Sequence, residues 1–179
     1  MVSRQTVRKM VSGARPRPRT SLTPTERRNL RRAKIVRRDL SRLSPDDVSL
    51  WSGISLPRCE QLVSLAQFQS LGSVGSSLAA DLWELGFSSV KELSNQSPPA
   101  MYTAFCRIVG TRVDPCVEDV FRCAVAQARN SKLAPEHKNW WYWTPYRGTD
   151  RVAPQRTRVG RPAAPTSRRK PLPSKPFLT

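Results

Sequence analysis

The sequence predicts an all-α fold: a small domain of five to seven short helices with disordered basic tails on either side. Three observations carry that prediction. No stretch sustains the period-two alternation of apolar and polar residues that a half-buried strand requires. Helix-start signals recur along the chain, with Ser, Thr or Asp followed by proline or by a glutamate three residues on. The charge is unevenly placed. Of the formal +18, residues 1–42 contribute 14 Lys and Arg and residues 147–179 a further 9, whereas residues 43–146 are close to neutral.

Residues 1–22 read as a disordered basic arm, because Arg15-Pro16-Arg17-Pro18-Arg19 favours an extended, solvated backbone. Thr23-Pro24-Thr25-Glu26 is a capping box with proline at the first helical position, and it predicts a basic amphipathic helix over 23–43. Leu30, Ala33, Val36, Leu40 and Leu43 lie on one side of that helix. Arg27, Arg28, Arg31, Arg32, Lys34, Arg37, Arg38 and Arg42 cover the rest. The domain proper is expected over 44–146. Ser44-Pro45-Asp46-Asp47 starts its first helix, with acids where the helix dipole favours them.

Pro57 begins the next helix, and Leu62, Leu65, Ala66 and Phe68 keep helical spacing up to a glycine-bearing turn, Leu71-Gly72-Ser73-Val74-Gly75-Ser76. Ser77-Leu78-Ala79-Ala80-Asp81-Leu82 opens the helix after it, which should end near Leu85 with Gly86 as a left-handed cap. Ser89-Val90-Lys91-Glu92 and Ser97-Pro98-Pro99 are two further starts. The second leads through Met101, Phe105, Ile108 and Val109 to a stop at Gly110. Asp114-Pro115 starts a helix carrying Val117, Val120, Phe121, Val125 and Ala128. After Tyr146, Arg, Pro, Ala and Ser dominate, so 147–179 reads as a disordered Arg/Pro-rich tail.

Several function classes recede on composition. Cys59, Cys106, Cys116 and Cys123 have no CxxC spacing and His137 is the only histidine, so neither a metal site nor a cofactor is expected. Cys116 and Cys123, seven apart, read as small buried apolar residues. No run is long enough to span a bilayer, so no membrane partner is expected. Basic flanks bind polyanions without regard to sequence, an effect that salt weakens, and nucleic acid is the expected partner, DNA ahead of RNA.

The helix–turn–helix layout around Gly72 and Gly75 resembles a helix-hairpin-helix module. That resemblance implies sequence-independent contact with a nucleic-acid backbone, since glycines admit a phosphate and orphan amides at a helix start point at it. Gly72, Ser73, Val74, Gly75, Ser76 and Ser77 are therefore candidate binding residues, and Arg27, Arg28, Arg31, Arg32 and Arg38 are the candidate cations. The turn departs from the usual proline-glycine-apolar-glycine pattern: Gly72 and Ser73 stand where proline and the first glycine are expected. No Lys or Arg occurs between Arg58 and Lys91, whereas Glu60, Asp81 and Glu84 do. The arms are expected to supply the cations that the turn lacks.

A more specific resemblance rests on Leu71-Gly72-Ser73-Val74-Gly75 with Ala80-Asp81-Leu82-Trp83-Glu84-Leu85-Gly86-Phe87, on the run from Asp114 to Val125, and on Trp140-Trp141-Tyr142-Trp143. Together they resemble the bacterial pathogenicity-locus family, also known as mitomycin-resistance proteins. The resemblance implies a small helical domain that binds DNA in a cytoplasmic, repair or stress setting. Organelle import is a second reading of the location, because the first 25 residues hold no acid.

Some residues admit two readings. Trp140, Trp141, Trp143 and Tyr146 suit stacking on bases, but closing a small core is the preferred role, as it is for Trp83. Arg107, Arg112 and Arg122 either extend a binding face or pair with Asp114, Glu118 and Asp119, and pairing is preferred for Arg122. Asp114 is better explained as a helix cap than as the aspartate of a DNA glycosylase, because no nucleophile–base pair accompanies it. The expected function is thus non-enzymatic, sequence-independent DNA binding. The alternatives are a protein–protein interaction module with a structural turn, or RNA binding.

Overall fold

Capping chemistry sets most of the helix boundaries. Thr23 Oγ1 accepts from the backbone N–H of Glu26, and Glu26 Oε2 accepts from that of Thr23, so the expected box forms. Ser44 Oγ accepts from Asp47 N–H at 3.1 Å. The computed structural model describes residues 4–149 and is all-helical among them. The helices are α1 (Arg4–Ser12), α2 (Pro24–Arg32), α3 (Pro45–Ser52), α4 (Leu56–Gln69), α5 (Ser76–Glu84), α6 (Val90–Leu93), α7 (Pro98–Val109) and α8 (Cys116–Arg129). Three 3-10 segments accompany them, Arg37–Arg42 between α2 and α3, and Pro135–Lys138 and Trp140–Tyr146 after α8. Of the tail expected over 147–179, residues 150–179 lie outside the described residues.

Two apolar clusters share α4. Leu65 and Phe68 pack with Leu82 of α5, Met101 and Phe105 of α7, and Phe121 and Val125 of α8. Leu62 and Val63 face Leu30, Ile35, Leu40 and Val48 instead. A third, smaller cluster joins Cys123 and Ala126 of α8 to Leu133 and Trp143. The left-handed stops at Gly86 and Gly110 form as expected, with φ of 91° and 79°.

Three expectations are corrected. Residues 1–22 are not a featureless arm: Val7 and Met10, on one face of α1, are buried in the main core with Val11 packed beside them. That i, i+3, i+4 stripe is what an amphipathic helix needs, and the surrounding arginines hide it. After α1, Arg15 N–H donates to Glu84 O, and Pro18 is buried, so the Arg-Pro run is a strap across the domain.

The helix expected over 23–43 stops at Arg32. Lys34 takes a left-handed φ of 58°, with Lys34 N–H bonded to Arg31 O and Ile35 N–H to Leu30 O. Together these bonds make a Schellman cap, and the burial of Ile35 against Leu30 outweighs lysine's dislike of that conformation. At the other end, the fold does not finish at Tyr146, because Arg147 pairs with the fully buried Asp119 of α8.

Candidate nucleic-acid interface

The turn between α4 and α5 divides into two halves. Its first half is sealed against the C-terminal part of the chain. Gly72 N–H donates to Gln127 Oε1 at 2.8 Å, and Gln127 Nε2 donates back to Gly72 O at 3.0 Å. The side-chain amide of α8 therefore treats Gly72 as a backbone partner. A Cβ at Gly72 would lie 2.9 Å from both Cβ and O of Lys138, so only glycine fits there.

Ser73 stands at the expected first-glycine position and has a left-handed φ of 66°. Its hydroxyl compensates the strain by donating to Lys138 O at 2.8 Å and accepting from Trp140 N–H at 3.0 Å. Val74 plugs the core. Among the six candidate turn residues, Gly72, Ser73 and Val74 thus serve the fold.

The second half is open. Gly75, Ser76 and Ser77 are exposed where α5 begins, and no side chain caps that end. Gly75 has an ordinary φ of −79°, and a Cβ there would meet nothing within 4 Å. Neither strain nor crowding within the fold calls for glycine at that position.

A cation does reach this end, from the strap. Arg17 Nη1 lies 2.8 Å from Asp81 Oδ1 and 2.7 Å from Glu84 Oε1, and its Nη2 donates to Ser77 Oγ at 3.2 Å. Hydrogen bonding to Asp81 raises the Arg17 pKa despite partial desolvation. Burial pushes the Asp81 carboxyl above its usual range, with Arg17 pulling against it. Arg17 is therefore committed to two acids. Nearby, the Arg15 guanidinium sits 4.4 Å above the ring of Trp83.

The candidate cations on α2 and the 3-10 segment are different. The candidates Arg27, Arg28, Arg31, Arg32 and Arg38 are all exposed, and so are their neighbours Lys34, Arg37 and Arg42. Among them only Arg38 approaches an acid, at 4.0 Å from Asp39. Helix and 3-10 segment bury Leu30 and Leu40 and leave the basic side chains outward.

Of the aromatic residues, Trp143 is fully buried and donates its indole N–H to His137 O at 2.9 Å, and Trp83 is buried as expected. Trp140 and Trp141 are not core: they remain 40% and 57% exposed, with Trp140 tied to the turn through Ser73. Arg122 is fully buried and pairs with Glu118 at 2.7 Å, as preferred from the sequence. Asp114 Oδ1 accepts from Cys116 N–H, a capping role.

Burial drives the Cys123 thiol up to about 11 and keeps it protonated. Among the described residues no group of three or more His, Cys, Asp or Glu converges as metal ligands, and no helix is long and apolar enough to cross a membrane. Sequence reasoning missed Gln127, Lys138 and Arg17 as neighbours of the turn.

A family model described as pathogenicity locus matches residues 61–149. A curated protein from Streptomyces lavendulae, named mitomycin resistance protein McrB, is 32% identical over 78 residues, covering 44% of this chain and 70% of that protein. No solved structure matches the chain. The family match opens inside α4 and runs through α8 to the last described residue, so it contains the turn and the Asp119–Arg147 pair. The basic surface of α2 and the 3-10 segment lies before it.

Proposed function

The chain belongs to the pathogenicity locus family, and from that premise we propose that it is a non-enzymatic, sequence-independent nucleic-acid-binding protein with DNA as its polymer. The observation that carries this reading is the bank of eight exposed cations on α2, the following 3-10 segment and the link between them, nearly all without an acid partner. Unopposed charge on a folded surface is what a phosphate backbone neutralises, with release of its counterions. The exposed start of α5 adds a second support. Gly75 leaves room for close approach at a helix end whose amides have no cap, which is the helix-hairpin-helix mode of contact.

A protein-binding reading is favoured by a groove of about 560 Å³ between the 3-10 segment Arg37–Arg42 and α4, floored by Leu22, Leu40, Leu62 and Leu65. Exposed Leu50 and Trp51 add apolar surface on α3. Salt separates the two readings. Binding of a random-sequence duplex by the full chain should weaken steeply as salt rises, and Arg31→Gln/Arg32→Gln/Arg38→Gln should make that dependence shallower. A full chain that binds neither duplex nor single-stranded DNA at low salt would overturn the proposal.

A further inference from the structure

The arginines of the first twenty residues fall into two groups with opposite surroundings. Arg15, Arg17 and Arg19 are each engaged, on the Trp83 ring, on Asp81 and Glu84, and on Glu26. Arg4 and Arg8 are not. They stand one helical turn apart on α1, and docking of that helix on α7 brings them to Arg107. The three arginines line a cleft of about 400 Å³, with Val11 and Ser12 completing its wall. Among the described residues no acid pairs with any of the three, and all are exposed.

This convergence runs against electrostatics. Arg4 and Arg8 repel at i, i+4 spacing, and Arg107 adds a third like charge from another element. Val7 and Met10 are buried and hold α1 in register on the core, so the backbone positions from which Arg4 and Arg8 project are fixed beside Arg107. An oxyanion in the cleft would turn mutual repulsion into shared attraction. Guanidinium forks match phosphate oxygens in pairs, and Ser12 offers a neutral donor beside them.

We propose that the cleft between α1 and α7, lined by Arg4, Arg8 and Arg107, is a phosphate-binding site separate from the α4–α5 turn. That the phosphate belongs to a nucleic-acid backbone rests on the reading above; the site itself does not. It lies outside the bank of cations on α2, so it gives a bound polymer a further anchoring point.

The test uses the full chain, its Arg8→Gln/Arg107→Gln variant, and Arg8→Lys/Arg107→Lys as the charge-preserving control. Pyrophosphate is the first probe, read as a rise in melting temperature, and a random-sequence duplex the second, read as affinity against salt. The Gln variant should melt at or above the wild-type temperature without anion, because like charges have been removed. It should lose the pyrophosphate response, bind duplex about tenfold more weakly and show a salt slope shallower by roughly 2. The Lys variant should keep most of the response. Should the double Gln variant fail to fold, Arg107→Gln alone gives the same readout.

A pyrophosphate response equal in wild type and Gln variant, or absent from both, overturns the site. A response lost in the Gln variant, in a protein that binds no DNA, supports the site as one for free oligophosphate and overturns only the polymer.

Discussion

Arg58 at the start of α4 and Glu26 in α2 are buried against each other, 2.9 Å apart from Nε to Oε1. The same guanidinium donates to Arg19 O at 2.7 Å and Ser21 O at 2.9 Å, and Glu26 Oε1 also takes Arg19 at 3.0 Å. One charge pair therefore joins strap, α2 and α4. Arg58→Met should cost about 3 kcal/mol or more in chemical denaturation, because Glu26 is left buried without its main partner. Arg58→Lys should recover little, since an ammonium cannot make the fork. A loss below about 1 kcal/mol for Arg58→Met would mean the strap is held elsewhere.

Acid should act on two carboxylates in opposite directions. Burial disfavours ionised Glu26, but hydrogen bonds from Arg58 and the Thr23 backbone outweigh it and hold its pKa below the usual range. Its stabilisation is present above the ordinary carboxylate pKa and is lost as pH falls through the depressed folded value. Asp81 is raised by burial, so its contribution is fully present below the ordinary value and is lost as pH rises through the raised one. Urea midpoints followed from neutrality into acid should fall less steeply in Glu26→Gln than in wild type, and more steeply in Asp81→Asn. Parallel curves for all three proteins would contradict this assignment.

Gly75 offers a variant that separates folding from binding. Its φ of −79° and ψ of 179° suit a helix-capping residue, and Asp caps better than Gly by a few tenths of a kcal/mol. Gly75→Asp should therefore melt at or slightly above the wild-type temperature. The same carboxylate would repel a phosphate at the start of α5, and duplex affinity should drop by about tenfold, equivalent to roughly 1.4 kcal/mol. Unchanged affinity would leave the turn a purely structural element.

A chain ending at Tyr146 should be markedly less stable than one ending at Thr149. Asp119 is fully buried, and it accepts from Arg147 Nε at 2.8 Å and Thr144 Oγ1 at 3.0 Å, while Arg147 Nη2 closes the fork. Removing Arg147 leaves that buried carboxylate with Thr144 as its side-chain partner, at a cost of roughly 1–3 kcal/mol, less than for a fully buried pair because the Arg147 side chain is 37% exposed. Thermal melts of the two chains and of Arg147→Gln measure it, with the point variant expected between them.

Local signals were the legible part of this fold. The capping box at Thr23, the cap at Ser44 and the glycine stops at Gly86 and Gly110 each involve neighbours in sequence, and all form. Lys34 was not legible, because nothing local marks a lysine as a helix stop; burial of Ile35 decides it. Helix α1 was hidden for a related reason, its three apolar residues being outnumbered by polar and basic ones. The turn was legible as a turn, but not its partners. Gln127 and Lys138 meet Gly72 and Ser73 across 55 and 65 residues, a pairing that no spacing rule anticipates.

The hydroxyl of Ser73 has a consequence for how far this turn can travel. Its backbone shape is dictated by Lys138 and Trp140, not by the two helices it joins. Residues 56–84 grafted onto another scaffold would carry the helices but leave the turn's template behind. The portable unit runs at least to Trp140, and shuffling of this segment between proteins would have to move both ends together.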